Sequence, residues 1–322
     1  MTVPGGTAIK TIATLTMSPA VDMFARTDQF YYDSKTRCQI KERLPGGGGI
    51  NVARNLKRFG LAVTAVFPAG GHHGELLRQL LQDGSLDYLH IPIKQETTQN
   101  IVLSETASGQ NLHLVFPGAE LSETEWQTCK HAIMSLSPQP SMLVISGSLP
   151  VGVPPQFTEE LVASCQAAGI KVILDTSGPA LLRALGPGVL AAKLNREDFE
   201  ALGYRGEKDP ASRIKVLQSV CEQRQLEHLV LTLGPDGALL ASRSGELLHA
   251  RPPVVDVVSH AGAGDAFVSV MTWKLFEQRP VREAFVYGVA AAAAAISTPG
   301  NQLEDLQWLE EVYNGVTVME LG

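Results

Sequence analysis

Ala261-Gly262-Ala263-Gly264-Asp265 is followed by a helix-forming stretch over residues 266–275. Small residues at a helix start let the backbone approach a bulky anion, and the free N–H groups and the positive end of the helix dipole face that anion. Asp265 stands at the same start, where a carboxylate can take a proton from a hydroxyl while the amides stabilise a transferring phosphoryl group. By spacing alone, an ordinary glycine-rich turn with Asp265 as a first-turn residue fits the pattern equally well.

A second glycine-rich stretch, Pro45-Gly46-Gly47-Gly48-Gly49-Ile50-Asn51, leads into a predicted helix over 50–59. Four consecutive glycines make a turn that almost any side chain would obstruct, again with free amides at a helix start. Asn51 is then placed to hydrogen-bond a polar ligand. A flexible loop is the alternative, but a glycine run that leads directly into an apolar-periodic helix favours a binding turn.

Strands and helices alternate along the chain. Apolar, β-branched runs predict strands at 11–16, 63–67, 142–145, 171–174 and 229–233, and amphipathic stretches predict helices at 50–59, 74–82, 125–134, 155–168 and 210–224. This alternation favours an α/β fold with a parallel sheet covered on both faces. Ser122-Glu123-Thr124-Glu125 predicts a capping box at one helix start.

Two stretches, about 26–45 and 99–116, alternate polar and apolar residues with no helix between. They predict strands outside the main sheet, forming a small lid over a site. Since no interdomain linker is visible, we expect one domain over residues 1–322 with this lid inserted. A small open sheet with exposed edges is seldom left uncovered, so we expect a homodimer through the lid.

Composition excludes several classes of protein. With 322 residues, 44% hydrophobic and 18% charged, the chain is neither disordered nor a coiled coil. A net charge of −7 without a Lys/Arg run argues against nucleic acid as a partner, and the longest apolar run, 286–296, is too short to span a membrane. Four scattered cysteines and a first segment without signal-peptide order predict a cytoplasmic protein. No P-loop motif occurs.

Taken together, the two glycine motifs make the chain resemble the ribokinase-like (PfkB) carbohydrate kinase family over nearly its whole length. Between them, Ile145-Ser146-Gly147-Ser148-Leu149-Pro150 and Leu233-Gly234-Pro235-Asp236-Gly237-Ala238 fit the family's order. The resemblance is nearest to the 6-phosphofructokinase branch. That branch has Gly at the position of Gly48, where the 1-phosphofructokinase and tagatose-6-phosphate kinase branches tend to have Lys.

The resemblance implies a three-layer α/β/α fold with a β-sheet lid, and transfer of the ATP γ-phosphoryl group to a sugar hydroxyl. It implies that Asp265 is the base and that the amides of Gly262, Ala263 and Gly264 form the anion hole. Sugar contacts are implied for Asp22, Gly47, Gly48, Asn51 and Ser148. ATP is implied along Lys193, Asn195, Thr232, Gly234 and Gly237, with Mg²⁺ bridging its phosphates and Asp198 at the metal-associated position.

Several positions depart from the family pattern. The 6-phosphofructokinase branch usually has Arg at the positions of Thr98 and His113, and these guanidinium forks are the best bidentate phosphate ligands. Lys35 and Arg37 remain as candidate sugar-phosphate contacts, and we expect them to act across a dimer. Asp198 is one methylene shorter than the family's Glu. His260 replaces a common Thr and is expected to pack or to make a neutral hydrogen bond.

The leading function is therefore an ATP-dependent kinase that converts fructose 6-phosphate to fructose 1,6-bisphosphate. Another hexose phosphate (fructose 1-phosphate or tagatose 6-phosphate), a free sugar or a nucleoside are alternative acceptors. A sugar or nucleotide sensor that keeps the fold without catalysis is the alternative outside enzymes.

Overall fold

The computed structural model describes residues 10–206, 209–259, 261–298, 303 and 305–321. Within these ranges the strands are β1 (Ile12–Leu15), β2 (Ala20–Thr27), β3 (Gln39–Gly46), β4 (Val63–Ala69), β5 (Asp87–Pro92), β6 (Thr98–Glu105), β7 (Asn111–Leu114), β8 (Met142–Ser146), β9 (Lys171–Asp175), β10 (Val189–Leu194), β11 (His228–Thr232), β12 (Ala238–Ser242), β13 (Leu247–Arg251) and β14 (Thr317–Glu320). The helices are α1 (Gly48–Arg58), α2 (Gly71–Asp83), α3 (Glu123–Met134), α4 (Gln156–Ala167), α5 (Gly178–Ala184), α6 (Arg196–Ala201), α7 (Pro210–Arg224), α8 (Ala263–Phe276), α9 (Val281–Ile296) and α10 (Leu306–Asn314).

The main sheet of the described chain has the strand order β14-β13-β12-β11-β10-β9-β8-β1-β4-β5. From β5 to β11 every neighbouring pair is parallel. These pairs form the predicted parallel sheet, and at one edge β11 to β14 extend it with antiparallel pairs that the sequence did not predict. Short connections join β11 to β12 and β12 to β13, and connections of this length can only return the chain antiparallel.

Apolar side chains cover both faces of the sheet. On β9, Val172 and Leu174 belong to the core cluster beneath α3, α4, α5, α6 and α7, whereas Ile173 belongs to the cluster beneath α1, α2, α8 and α9. This alternation buries the strand on both sides and confirms the three-layer α/β/α arrangement. In α9, the alanine-rich run packs closely, and Ala290, Ala291 and Ala294 are buried.

A second, four-stranded sheet has the order β3-β2-β6-β7. Its strands overlap the stretches for which a lid is predicted, but β2 begins at Ala20, six residues before the predicted start at 26. Residues 28–38 form a loop and not a strand. The polar–apolar alternation misses the start of β2 because Ala20 and Val21 are both buried.

The capping box at Ser122 is confirmed, with reciprocal hydrogen bonds between Ser122 and Glu125. Among the described residues, no helix combines the length and the apolar character that crossing a membrane requires.

Candidate active site

The two glycine-rich stretches meet at the starts of α1 and α8. Asn51 Nδ2 donates to Asp265 Oδ2 at 2.8 Å, which joins the two motifs although 214 residues separate them. One turn further along, Asn55 Nδ2 donates to Ser269 Oγ at 3.1 Å, and Ser269 Oγ donates to the carbonyl of Asp265 at 2.5 Å. The side chains of α1 therefore fix both the carboxylate and the backbone of Asp265.

The start of α8 has the geometry of an anion site. Gly262 precedes the helix with φ of 77°, a left-handed conformation that glycine adopts at little cost. Within the part of the chain that the structure describes, no side chain caps this helix, so the amides of Gly262, Ala263 and Gly264 are left to an incoming group. Asp265 is in the first helical turn and is half-buried. This arrangement brings together the predicted base and the predicted anion hole.

Asp265 is held in an environment that opposes its negative charge. Burial is the main cause that raises its pKa to about 7, and the neighbouring carboxylate of Asp175 raises it further. The hydrogen bond from Asn51 and the charge of Lys193 act in the opposite direction. A carboxyl group that titrates near neutral pH has the proton affinity that a general base needs.

Lys193 and Asp175 form an ion pair beside Asp265. Lys193 Nζ lies 2.7 Å from Asp175 Oδ1, and the two side chains are only 15% and 10% exposed. Burial alone would lower the pKa of Lys193, but Asp175, assisted by Asp265, raises it, so the ammonium keeps its charge. The second carboxylate oxygen of Asp175 accepts from Ser146 Oγ at 3.0 Å.

Sequence reasoning missed Asp175 and Ser146. A signal for Asp175 was present, because it ends a buried apolar strand at the sheet edge where ligands bind in open α/β folds. Gly48, at the first position of α1, approaches the same group so closely that a side chain there would collide with Ser146 Oγ. Position 48 therefore has to be glycine, because Ser146 on β8 fills the space that a side chain would need.

Gly47 and Gly49 complete the close approach of α1 to β1. Gly47 has φ of 109° and caps the helix. A Cβ atom at Gly49 would lie 2.7 Å from the carbonyl oxygen of Leu15 and 2.6 Å from Thr16 Oγ1. Real side chains do not reach such distances, so glycine lets the helix start sit against the end of β1 and places Asn51 opposite Asp265.

Asp22, on the smaller sheet, faces the same region. Burial raises its pKa, while the hydrogen bond from Asn100 Nδ2 at 2.9 Å and the charges of Arg54 and His113 oppose that rise. Asp22 in turn raises the pKa of Asp265, which indicates that the smaller sheet stands close to the base. Asn100 was not predicted as a site residue.

A cavity of about 570 Å³ separates the smaller sheet from residues 258–259. Phe24, Val102 and His113 form one cross-strand row of this sheet, and all three line the cavity together with Arg26. His113 therefore faces a space into which a ligand held by Asp22 could extend.

Two other residues predicted to contact the sugar, Arg37 and Lys35, lie apart from this cluster. Arg37 is at the far end of β2, where its carbonyl accepts from Thr27 Oγ1. Thr27 is five residues along the strand from Asp22, a distance of about 16 Å at 3.3 Å per residue. Lys35 is exposed in the loop before β3, and Ser148 is exposed in the loop after β8. Thr98, one of the two positions where the branch usually has Arg, begins β6 opposite Ala20.

The residues predicted for ATP lie at the ends of β10 and β11. Thr232 Oγ1 donates to the carbonyl of Leu194 at 3.1 Å, which ties the two strand ends together. Gly234 and Gly237 belong to the turn that follows β11. Asn195 caps α6 by accepting from the amide of Asp198 at 2.8 Å.

The carboxylate of Asp198 is engaged by the backbone. Its oxygens accept from the amides of Gly178 at 3.0 Å and Asn195 at 3.1 Å, and the residue is 4% exposed. This geometry fixes the turn at the start of α6 and leaves the predicted metal role a prediction. His260, also singled out from the sequence, lies outside the described residues.

Comparison with known proteins identifies the family. Residues 15–308 match the pfkB family of carbohydrate kinases. The chain is 37% identical over 303 residues to ATP-dependent 6-phosphofructokinase isozyme 2 of Escherichia coli, covering 94% of this chain and 97% of that protein. It is 28% identical over 312 residues to 1-phosphofructokinase of Vibrio cholerae, covering 97% and 98%.

Solved structures agree with the sequence comparison. The crystal structure of phosphofructokinase-2 from Escherichia coli in complex with potassium matches with a TM-score of 0.89 at 37% identity, covering 95% of this chain and 98% of that one. The crystal structure of the same enzyme with fructose-6-phosphate matches with a TM-score of 0.86 at 36% identity over the same shares. The chain, a phosphotransferase with an alcohol group as acceptor, belongs to the pfkB family of carbohydrate kinases.

Proposed function

We propose that this kinase transfers the γ-phosphoryl group of ATP to the 1-hydroxyl of fructose 6-phosphate, giving fructose 1,6-bisphosphate. The observation that carries the proposal is the placement of Asp265, with a pKa of about 7, beside the uncapped amides of α8. Because the first-turn amides and the base stand together, one hydroxyl can lose its proton while the incoming phosphoryl group is stabilised.

The residues divide between the two substrates. Asp22, Gly47, Gly48 and Asn51 would hold the sugar hydroxyls, and Ser148 would add a further contact. Lys193, Asn195, Thr232, Gly234 and Gly237 would hold ATP. A Cβ atom placed on Gly264 would lie 3.6 Å from Lys193 Nζ. The charged ammonium of Lys193 is therefore next to the anion hole.

Magnesium is expected to accompany the phosphates of ATP, where it would neutralise their charge. The described residues do not fit a resident metal site, since they contain no group of three or more His, Cys, Asp or Glu able to hold an ion. The oxygens of Asp198 are committed to two backbone amides.

Fructose 6-phosphate as acceptor is supported by the similarity to the Escherichia coli enzyme and by the cavity beyond Asp22, which His113 lines. Both branch arginines are replaced, at Thr98 and His113, so the phosphate of the acceptor would depend on His113 and Arg26 in this subunit. Lys35 and Arg37 would act from a second subunit. A free sugar or nucleoside acceptor is favoured by the same two replacements.

An acceptor panel at saturating Mg-ATP distinguishes these cases. Wild type and His113→Ala are assayed on fructose 6-phosphate, fructose 1-phosphate, tagatose 6-phosphate, free fructose and adenosine. We expect the highest kcat/KM on fructose 6-phosphate, and a loss in His113→Ala confined to sugar phosphates, because only these carry the group that the imidazole faces. Turnover of free fructose or adenosine with none of any hexose phosphate would contradict the proposed acceptor. Sugar binding without any ADP release would instead support a sensor.

We also propose a homodimer through the smaller sheet. Ile40, Leu112 and Leu114 on its strands are 47%, 45% and 37% exposed, and Val115 and Phe116 continue this apolar surface. A second copy would cover it and would bring Lys35 and Arg37 toward the partner's site. One chain has a mass of 34.5 kDa, and sedimentation equilibrium at micromolar concentration is expected to give twice this value. A single species with the mass of one chain would exclude the lid dimer.

We also propose a cytoplasmic location, which the cysteine pattern predicts.

A further inference from the structure

His249 is a fully buried histidine on β13, with no assigned role. Its side chain is 0% exposed, and its Nε2 lies 2.9 Å from the backbone carbonyl oxygen of Asp236. A carbonyl only accepts, so Nε2 carries the proton and donates it. The other ring nitrogen, Nδ1, is buried with no hydrogen-bond partner among the described residues. Toward the residues that the structure describes, the imidazole therefore makes a single hydrogen bond, which is directed at one turn.

That turn spans residues 233–237 and carries Gly234 and Gly237, both assigned to ATP. Within it, the amide of Leu233 donates to the carbonyl of Gly237 at 2.8 Å. The backbone of Gly237 passes so close to the carbonyl of Ala250, the residue after His249, that a side chain at Gly237 would collide with it. The turn therefore packs directly against β13.

Arg196 holds the same turn from the other side. Its Nη2 donates to the carbonyl of Leu233 at 2.8 Å and to Asp236 Oδ2 at 3.3 Å. Arg196 directly follows Asn195, so this guanidinium links the two segments assigned to ATP. The pair with Asp236 is more than half exposed on both sides and contributes little by itself. The bond from His249 is the stronger constraint, because its donor is a fully buried side chain that has no access to solvent as an alternative partner.

We propose that His249 is a positioning residue for nucleotide binding, which fixes the 233–237 turn through its Nε2–H bond to Asp236. The inference rests on the proposed binding of ATP along this turn. His249 touches neither substrate and acts only through the backbone of the turn. Its removal should therefore weaken nucleotide binding and leave sugar binding and the chemical step intact.

Amide substitutions separate positioning from packing. The amide nitrogen of Gln can occupy the place of Nε2, whereas that of Asn reaches only as far as Nδ1. We expect His249→Leu and His249→Asn to raise the KM for ATP about tenfold, the effect of losing one buried hydrogen bond, with kcat and the acceptor KM within about twofold. His249→Gln is expected to restore the KM for ATP.

The control is Leu247→Val, two residues away on the same strand and also in the core, which should lower stability without moving the KM for ATP. Equilibrium binding of Mg-ADP, followed by calorimetry, gives a readout independent of turnover. If wild type binds no nucleotide, the proposed function fails. If wild type binds and all three His249 variants bind equally well, or if Gln and Asn behave alike, the positioning role is excluded.

Discussion

Asp265→Asn is expected to lower kcat by about 10²- to 10⁴-fold, the range that a positioned general base contributes. The amide cannot accept the proton of the acceptor hydroxyl, yet it can keep the hydrogen bond with Asn51, whose 2.8 Å contact fixes the side chain. The KM values for ATP and acceptor should therefore change little. Steady-state kinetics with both substrates varied measures the two effects separately.

Asp209→Asn is the matched control, since Asp209 also stands at a helix start, where it caps α7, and has no predicted role in the site. Asn is an equally good cap, so this variant should keep wild-type kinetics. Turnover of Asp265→Asn within about tenfold of wild type would show that another group takes the proton.

The same substitution has a predictable effect on stability. The pKa of Asp265 is about 7 in the folded protein, against 3.8 for an ordinary aspartate. Between about pH 4 and pH 7 the unfolded chain releases a proton that the folded protein keeps, so this group makes the free energy of unfolding fall as pH rises through that window. Urea unfolding at several pH values should show a smaller fall in Asp265→Asn than in wild type. An identical pH dependence would mean that Asp265 has an ordinary pKa.

Lys193→Met is the substitution with the second large expected effect. It leaves the carboxylate of Asp175 buried beside Asp265 without its cation, and breaking a buried pair in this way costs about 3–5 kcal/mol. Because Lys193 lowers the pKa of Asp265, its loss should raise that pKa further and move the onset of activity to higher pH. Urea unfolding and the pH–rate profile measure the two consequences.

The double variant Lys193→Met with Asp175→Asn is the control for the electrostatic origin of this effect. It removes the unpaired carboxylate of Asp175, so most of the lost stability should return. The pKa of Asp265 should also fall again, because the charge of Asp175 raises it. Nucleotide binding should stay weak, because the ammonium is still missing. A double variant as unstable as Lys193→Met would mean that packing of the lysine side chain, and not charge, holds this part of the site.

The sequence predicted the parts of the site that depend on local backbone chemistry. Gly262 and Asp265 stand out because small residues and a carboxylate at a helix start suit an anion site, and the resemblance favours that interpretation over the ordinary turn that spacing alone allows. The resemblance added the order of the motifs and thus the pairing of α1 with α8. The contact of Asn51 with Asp265 follows from that pairing, since each side chain stands in the first turn of its helix.

The charges around the base could not be predicted in the same way. Asp175 ends an apolar strand that reads as core, and its importance comes from Lys193 on the neighbouring strand. Similarly, the resemblance places Asp198 at the metal-associated position of the family motif. Its side chain accepts a hydrogen bond from the backbone amide of Asn195, and this capping of α6 could not be predicted from the motif. The antiparallel edge was missed because β12 and β13 are short and almost entirely buried, with only Arg251 at the end of β13 exposed, so they show no alternation of polar and apolar residues.

Phosphorus NMR of a reaction with Mg-ATP and fructose 6-phosphate tests the central claim most directly. The account predicts ADP and a new phosphate ester in equal amounts, with the new signal split by the two protons of a CH₂–O–P group, as phosphorylation of the 1-hydroxyl requires. Asp265→Asn should form the same product far more slowly. ADP accompanied by inorganic phosphate and no new ester, or an ester formed equally fast by wild type and Asp265→Asn, would contradict the account.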